Sequence, residues 1–209
     1  MSEVLESKER SIPVSRKNFM GYIYPTDTMS ISIMAVFAAL ICVLTMIIAI
    51  PIPATQGFIN VGDAGVMITA LLFGPIIGAI AGGVGSALAD IFLGYTIYAP
   101  ATLIIKGLEG FVVGIIANPK KHYSKLNYRD IIGVLIGGAI MVLGYLIYET
   151  LIFGFPAALY EFFLNSIIQY GLSVIIAILF AKTVRKSIIE ALPQVFDKIF
   201  MVELTDNSL

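Results

Sequence analysis

The amino-acid sequence predicts an all-α membrane protein, a bundle of six transmembrane helices. Hydrophobic residues make up 58% of its 209 residues and charged residues only 13%, and the mean hydropathy is +0.94. A soluble core of this length could not bury so much apolar surface. Crossing a hydrocarbon layer of about 30 Å takes about 20 helical residues. Most of the six apolar stretches approach that length: 30–50, 61–73, 76–94, 101–117, 130–152 and 158–181.

The Lys and Arg residues predict how this bundle is oriented. Twelve of the thirteen lie outside the apolar stretches: before residue 29, in the 118–129 connection and from residue 182 onward. Cytoplasmic segments of membrane proteins carry the excess of Lys and Arg. We therefore expect a multi-pass protein with both termini in the cytoplasm. Its predicted parts are an N-terminal tail at 1–29, one membrane domain at 30–182 and a C-terminal tail at 183–209.

Composition also argues against several kinds of partner. The formal net charge of −1 does not suit a nucleic-acid partner. Cys42 is the single cysteine and His122 the single histidine, so neither an internal disulfide nor a zinc site is credible. The sequence predicts no metal and no cofactor.

Small residues predict close contacts between helices. In the third stretch they recur at every fourth position, at Gly74, Gly78, Gly82 and Ser86. The first stretch has no charged residue and contains Ala35 and Ala39 one turn apart. Its smooth surface is suited to docking another protein. Contact with a helix of its own bundle explains the two alanines equally well.

The ionisable groups placed inside the membrane are all predicted to lie in its outward half. Buried charges are costly in a membrane unless they pair or line a wet cavity, so these groups predict an outward-facing binding site. The candidate binding residues are Asn60, Asp63, Asp90, Lys106, Glu109, Tyr145, Glu149, Asn165 and Gln169. The second stretch is short, so we expect part of the 51–60 connection to pack inside the bundle. With Gly57 as a hinge, this connection is predicted to close over a ligand.

Structural roles explain some of these residues as well. Lys106 and Glu109 are three residues apart on a helix and can pair, with Asp90 as a second candidate partner for the lysine. Asp63 and Glu161 are predicted to lie near helix N-termini, where a carboxylate is stabilised without any ligand. Glu161, Asn165 and Gln169 recur every four residues and predict one polar stripe on the sixth helix.

Four sequence motifs resemble the substrate-binding S components of energy-coupling factor (ECF) transporters, in particular the riboflavin-type subgroup. They occur in the expected order within residues 30–181: Gly57-Phe58-Ile59-Asn60-Val61-Gly62-Asp63, Leu72-Phe73-Gly74-Pro75, Gly85-Ser86-Ala87-Leu88-Ala89-Asp90 and Thr102-Leu103-Ile104-Ile105-Lys106-Gly107-Leu108-Glu109-Gly110.

The resemblance implies a vitamin-binding subunit of a prokaryotic plasma-membrane importer. Its implied partners are a membrane scaffold subunit, which would contact Ala35 and Ala39, and two ATPase subunits that hydrolyse ATP. Aromatic residues near the predicted outer mouth could stack on a flat ring: Phe58, Tyr95, Tyr98, Tyr145, Tyr148 and Tyr160. Five acids against one lysine favour a neutral or cationic substrate, such as riboflavin, a pyridoxine-like compound or a pyrimidine precursor.

Two other classes stay open from the residues. A membrane enzyme would need clustered acids near the cytoplasmic face, and no nucleophile and base stand at a plausible spacing. A self-sufficient secondary carrier would show inverted repeats and broken helices, and neither is clear in the sequence.

Overall fold

The computed structural model describes residues 18–119 and 126–200, without the side chains at 197 and 198. Within these residues, five helices are long and apolar enough to cross a membrane: α1 (Thr28–Ile47), α3 (Pro75–Leu93), α4 (Ala99–Ala117), α5 (Tyr128–Phe153) and α6 (Phe155–Thr183). A shorter apolar helix, α2 (Gly62–Phe73), precedes α3. The chain is therefore a mostly helical, multi-pass membrane protein, and the helices begin and end within about three residues of the predicted apolar stretches.

Short strands flank the first helix. Strands β1 (Asn18–Phe19) and β2 (Tyr22–Ile23) pair antiparallel before it. The N-cap of α1 is Asp27, whose carboxylate accepts hydrogen bonds from the Ser30 hydroxyl at 2.7 Å and the Ser30 amide at 3.3 Å. The hydroxyl bond is the main reason why the pKa of Asp27 is lowered. These bonds fix the start of α1 by satisfying an otherwise unpaired amide.

The connection between α1 and α2 is a β-hairpin rather than an irregular loop. Its strands are β3 (Ile50–Ile52) and β4 (Gly57–Ile59), which pair antiparallel. The side chains of Ile52, Thr55 and Phe58 are buried, as is Asn60 at the end of the hairpin. The expectation that part of this connection packs inside the bundle is confirmed.

Glycines let α3 approach its neighbours closely, as the small-residue pattern predicts. A Cβ on Gly110 would lie 2.3 Å from the carbonyl oxygen of Gly78. A Cβ on Gly85 would lie 2.4 Å from the carbonyl oxygen of Ala38 in α1. A tight turn between α2 and α3 is centred on Gly74, whose φ of +83° suits glycine.

Two short helices follow the membrane-spanning part: α7 (Arg185–Ala191) and α8 (Pro193–Ile199). They pack against the turn between α2 and α3 through an apolar cluster that includes Tyr22, Phe73, Ile189 and Phe196. Much of the predicted C-terminal tail is therefore folded against the bundle. The predicted tail residues 1–17 and 201–209, and the connecting residues 120–125, lie outside the described residues.

A buried ion pair ties α7 to the start of α5. The Arg185 guanidinium donates hydrogen bonds to both carboxylate oxygens of Asp130, at 3.1 Å and 2.8 Å. The described cations outside the apolar stretches lie at this end of the bundle: Arg129, Lys182, Arg185 and Lys186. Their grouping agrees with the orientation expected from the sequence, and that orientation stays a prediction.

Candidate functional site

A narrow cavity lies where the hairpin meets α3, α4, α5 and α6. It has room for water-sized molecules in about 20 Å³, which is space for about one water molecule. Ten residues line it: Gly57, Phe58, Asn60, Asp90, Tyr98, Thr102, Tyr145, Glu161, Asn165 and Gln169. Tyr145 stands fifteen residues after Asp130 on α5, about 22 Å along the helix. The cavity is therefore at the end of the bundle opposite the Arg185–Asp130 pair.

A buried charge cluster lies beside the cavity. The Lys106 ammonium contacts the Asp63 carboxylate and is 3.6 Å from Glu109 Oε2. All three side chains are almost fully buried. The prediction that Lys106 pairs with Glu109 is confirmed. The suggestion of Asp90 as a second partner is wrong, because α2 brings Asp63 to the lysine, while Asp90 lines the cavity near Thr102.

Helix α6 contributes the polar stripe that its sequence predicts. Glu161, Asn165 and Gln169 are all buried and line the cavity. Asn165 Nδ2 donates to Glu161 Oε1 at 3.2 Å, and Gln169 Nε2 donates to Asp63 Oδ2 at 2.5 Å. Residues Asn165–Tyr170 form a π-helical turn within α6. Such turns are frequent at functional sites.

Glu161 has a different position from the one expected. It lies in the second turn of α6, because the helix already begins at Phe155 with Pro156 in its first turn. A capping role at the helix N-terminus is therefore wrong for this residue. Its carboxylate instead accepts a hydrogen bond from the Thr55 hydroxyl in the hairpin. Asp63 does lie in the first turn of α2, as expected.

A second acid lies next to Glu161. This acid is Glu149 of α5. Glu149 is 1% exposed, and neither of its carboxylate oxygens accepts a hydrogen bond from a residue that the structure describes. The cavity end of the bundle therefore contains more buried acceptor groups than the protein itself satisfies.

Aromatic rings form one wall of the cavity. Tyr98 is central, with ring centroids 6.3 Å from Tyr145 and 5.6 Å from Tyr148. Its hydroxyl donates to the Thr55 carbonyl oxygen at 2.8 Å. Phe58 lies against Tyr95 with a centroid distance of 4.5 Å. Tyr160 differs from these residues because it is 57% exposed, which is typical of a residue at the membrane interface.

The structure brings five of the nine candidate residues to the cavity surface: Asn60, Asp90, Tyr145, Asn165 and Gln169. The other four, Asp63, Lys106, Glu109 and Glu149, are buried but do not line the cavity. Sequence reasoning missed Thr102, which stands one helical turn before Lys106 and bonds the Tyr145 hydroxyl at 2.9 Å. That four-residue spacing could have revealed it. Among the described residues, no group of three or more potential metal ligands occurs.

Three comparisons bear on the identity of the chain. The family described as ECF-type riboflavin transporter, S component, matches residues 25–186. A Pyrococcus woesei protein, described as an uncharacterized protein in the gap 3′ region, is 44% identical over 136 residues, covering 65% of this chain and 88% of that protein. The thiamine precursor transporter HmpT of Lactococcus lactis is 30% identical over 136 residues, covering 65% of this chain and 75% of that transporter.

The family match spans α1 to α6 and includes the whole cavity. This agrees with the resemblance seen in the four sequence motifs. A transporter family also rules against the open interpretation of the chain as a membrane enzyme. The chain belongs to the family of ECF-type riboflavin transporter S components.

Proposed function

We propose that this chain is the substrate-binding subunit of an ATP-driven ECF importer and binds a flat, neutral or cationic heterocycle of the vitamin class from the outside. The observation that carries the proposal is the cavity. Aromatic rings of Phe58, Tyr98 and Tyr145 stand in its wall beside amide and carboxyl groups. Rings of this kind stack on a flat ligand while polar groups hold its edge.

The charged groups that line the cavity support a substrate that is neutral or positively charged. Its ionisable carboxyl groups are Asp90 and Glu161, and none of the described lining residues is a cation. Lys106 lies behind the lining and is held by Asp63 and Glu109. An anionic substrate would meet acids without a free cation to neutralise it. Riboflavin, a pyridoxine-like compound and a thiamine-precursor pyrimidine all satisfy this condition.

The size of the cavity supports a lid. Sites for small organic ligands usually enclose about 300 Å³ or more, whereas this cavity has room for about one water molecule. Admission of a heterocycle therefore requires surrounding groups to move. The hairpin is the best candidate, because Thr55 attaches it to Glu161 and Tyr98 by hydrogen bonds that can break.

A scaffold subunit and two ATPase subunits are the proposed partners. The side chains of Ala35 and Ala39 are exposed on α1, next to Val36 and Leu40, whereas Ala38 is buried against the bundle. Helix α1 thus presents a smooth apolar face away from its own bundle. In lipid, close van der Waals approach drives helix association, and we assign scaffold docking to this face.

Purification from the native membrane tests the proposal. We expect the chain to co-purify with a membrane scaffold and ATPases, and to retain a heterocycle that mass spectrometry identifies. Ala39→Trp should leave heterocycle binding by the isolated chain intact and eliminate uptake and scaffold capture. Leu143→Trp, a matched bulky change on the exposed surface of α5, should leave both unchanged.

Other outcomes would contradict the proposal in distinct ways. Uptake by the chain alone in liposomes would identify a self-sufficient carrier. Normal uptake by both the Ala35→Trp and Ala39→Trp variants would mean that docking occurs elsewhere. Loss of binding as well as uptake in these variants would mean that α1 supports the bundle rather than a partner.

A further inference from the structure

The cavity presents hydrogen-bond acceptors whose lone pairs the protein leaves unused. Asp90 Oδ2 and Asn165 Oδ1 are buried in the lining, and neither accepts a hydrogen bond from residues 18–119 or 126–200. Asp90 is 3% exposed and Asn165 is 4% exposed. A buried polar atom without a partner costs free energy. Both atoms therefore favour a ligand that donates hydrogen bonds.

The donors of the lining are mostly engaged by the protein itself. Gln169 Nε2 donates to Asp63, and Asn165 Nδ2 donates to Glu161. The Tyr98 hydroxyl donates to the Thr55 carbonyl oxygen. Asn60 is different, because its Oδ1 accepts from the Gly62 amide and its NH₂ group has no acceptor among the described residues. A ligand here meets several free acceptors, the Asn60 amide donor and the one hydroxyl hydrogen that the bond between Thr102 and Tyr145 leaves over.

The charge balance agrees with this pattern. Asp63, Asp90, Glu109, Glu149 and Glu161 surround the cavity end, and Lys106 is the cation that faces them among the described residues. Uncompensated negative charge in a low-dielectric site is stabilised by a proton or by a cationic group. A ligand that brings positive charge or N–H donors supplies that compensation.

We infer that the substrate is an amino-substituted aromatic heterocycle, whose amino group donates to Asp90 Oδ2 and Asn165 Oδ1 and whose adjacent ring nitrogen accepts from Asn60. This inference rests on the proposed function and narrows its substrate class. An aminopyrimidine carries this donor–acceptor edge. The flavin ring presents two carbonyl oxygens beside one N–H, so its edge meets the free acceptors of the lining less well.

Binding of matched ligands to the purified full-length chain tests the inference. The probes are 4-amino-2-methylpyrimidine, its 4-methoxy analogue and riboflavin, compared by isothermal titration calorimetry. The methoxy group keeps the ring but removes both N–H donors. We expect the amino compound to bind at least about tenfold more tightly than the methoxy compound, because a buried acceptor would lose its hydrogen bond.

A variant of Asp90 tests whether this residue causes the preference for the amino compound over the methoxy compound. Asp90→Asn replaces one carboxylate oxygen by an NH₂ group of nearly equal size, so the preference for the amino compound should shrink by about tenfold. Glu190→Gln is the matched control, since Glu190 is exposed and pairs with Lys186 at 3.6 Å on α7. It should retain the full preference. Because the comparison of ligands uses the unmodified chain, it does not depend on whether Asp90→Asn folds.

Three results would overturn the inference. Equal affinity for the amino and methoxy compounds is the first, tighter binding of riboflavin than of either pyrimidine is the second, and binding of none of the three probes is the third. None of these results decides whether the chain is a subunit of an ECF importer. Co-purification with a scaffold and ATPases decides that separately.

Discussion

Two buried cation–carboxylate clusters occupy opposite ends of the bundle. At one end, both oxygens of Asp130 accept hydrogen bonds from Arg185, and Oδ2 also accepts one from the Asn127 amide at 2.8 Å. At the other end, Lys106 faces the two acids Asp63 and Glu109. Neither oxygen of Glu109 accepts a hydrogen bond from a described residue.

The two clusters differ in whether their carboxylate oxygens accept hydrogen bonds. This difference indicates a structural role for the first cluster and a role in binding for the second. A buried ion pair is maintained when hydrogen bonds satisfy its remaining polar atoms. In the Arg185–Asp130 pair both carboxylate oxygens meet that condition, and the pair joins α7 to α5. In the Lys106 cluster the Glu109 oxygens do not meet it, and the cluster stands behind the cavity, where further acceptors are also free. We therefore expect substitutions in the first cluster to change stability alone and those in the second to change ligand binding as well.

Lys106→Met should have the largest effect. It leaves Asp63 and Glu109 buried without their cation, which costs about 3–5 kcal/mol of unfolding free energy. Heterocycle binding should be lost in the fraction that remains folded. Thermal unfolding in detergent and calorimetric titration measure the two effects. Normal binding by the folded variant would reduce the cluster to a structural role.

Arg185→Met should reduce stability by a similar amount, about 3–5 kcal/mol, because Asp130 becomes a buried unpaired carboxylate. The affinity of the folded variant for the heterocycle should nevertheless stay unchanged. The same two measurements apply, and Lys106→Met is the matched comparison. A parallel loss of affinity would show that the two ends of the bundle are coupled.

Gly110→Val should reduce the unfolding free energy by about 1–3 kcal/mol through overpacking, since even a Cβ would clash with Gly78. It should also weaken heterocycle binding, because the contact sets the distance between Asp90 on α3 and Lys106 on α4. Gly107→Ala is the control on the same helix, as its Cβ would lie 3.5 Å from the nearest carbonyl oxygen, an ordinary contact. Equal stability of the two variants would contradict this account of the packing.

Thr55→Val should have the smallest effect, a loss of about 1 kcal/mol for the hydrogen bond to Glu161. The hairpin should then open more readily. A spin label at Ala54→Cys, in a Cys42→Ala background, reports its mobility with and without ligand. We expect ligand to reduce the mobility in the chain that retains Thr55, and a smaller reduction in the variant. Identical mobility with and without ligand would count against a lid.

Local patterns in the sequence predicted most of the fold. Runs of apolar residues predicted α1 to α6, and four-residue spacing of glycines predicted the contacts of α3. The β-hairpin was not predicted, because its pairing depends on burial against α6 and Tyr98 rather than on turn residues. The π-helical turn at Asn165–Tyr170 was missed for a similar reason. Its sequence fits an α-helix equally well, and packing against other elements determines the difference.

The sequence predicted which polar residues come together in the candidate site, but not most of the contacts between them. Depth within the membrane for Asp90 and helical spacing for Asn165 and Gln169 predicted that these residues converge, and all three line one cavity. Their role in binding stays a prediction. Spacing along a helix identified the contact between Lys106 and Glu109, but spacing reveals only partners on the same helix. The contact between Lys106 and Asp63 joins two helices, as does that between Thr55 and Glu161. Such pairs follow from the tertiary arrangement, which the sequence alone did not provide.

The small volume of the cavity has a consequence for the kinetics of binding. Association that waits for a conformational change is slower than diffusion permits, so opening of the proposed lid would limit how fast substrate is captured. The same opening would limit how fast it escapes. A subunit with such a lid would retain a scarce nutrient for a long time once it is captured. Delivery to the cytoplasm would then depend on how quickly the proposed partner opens the site.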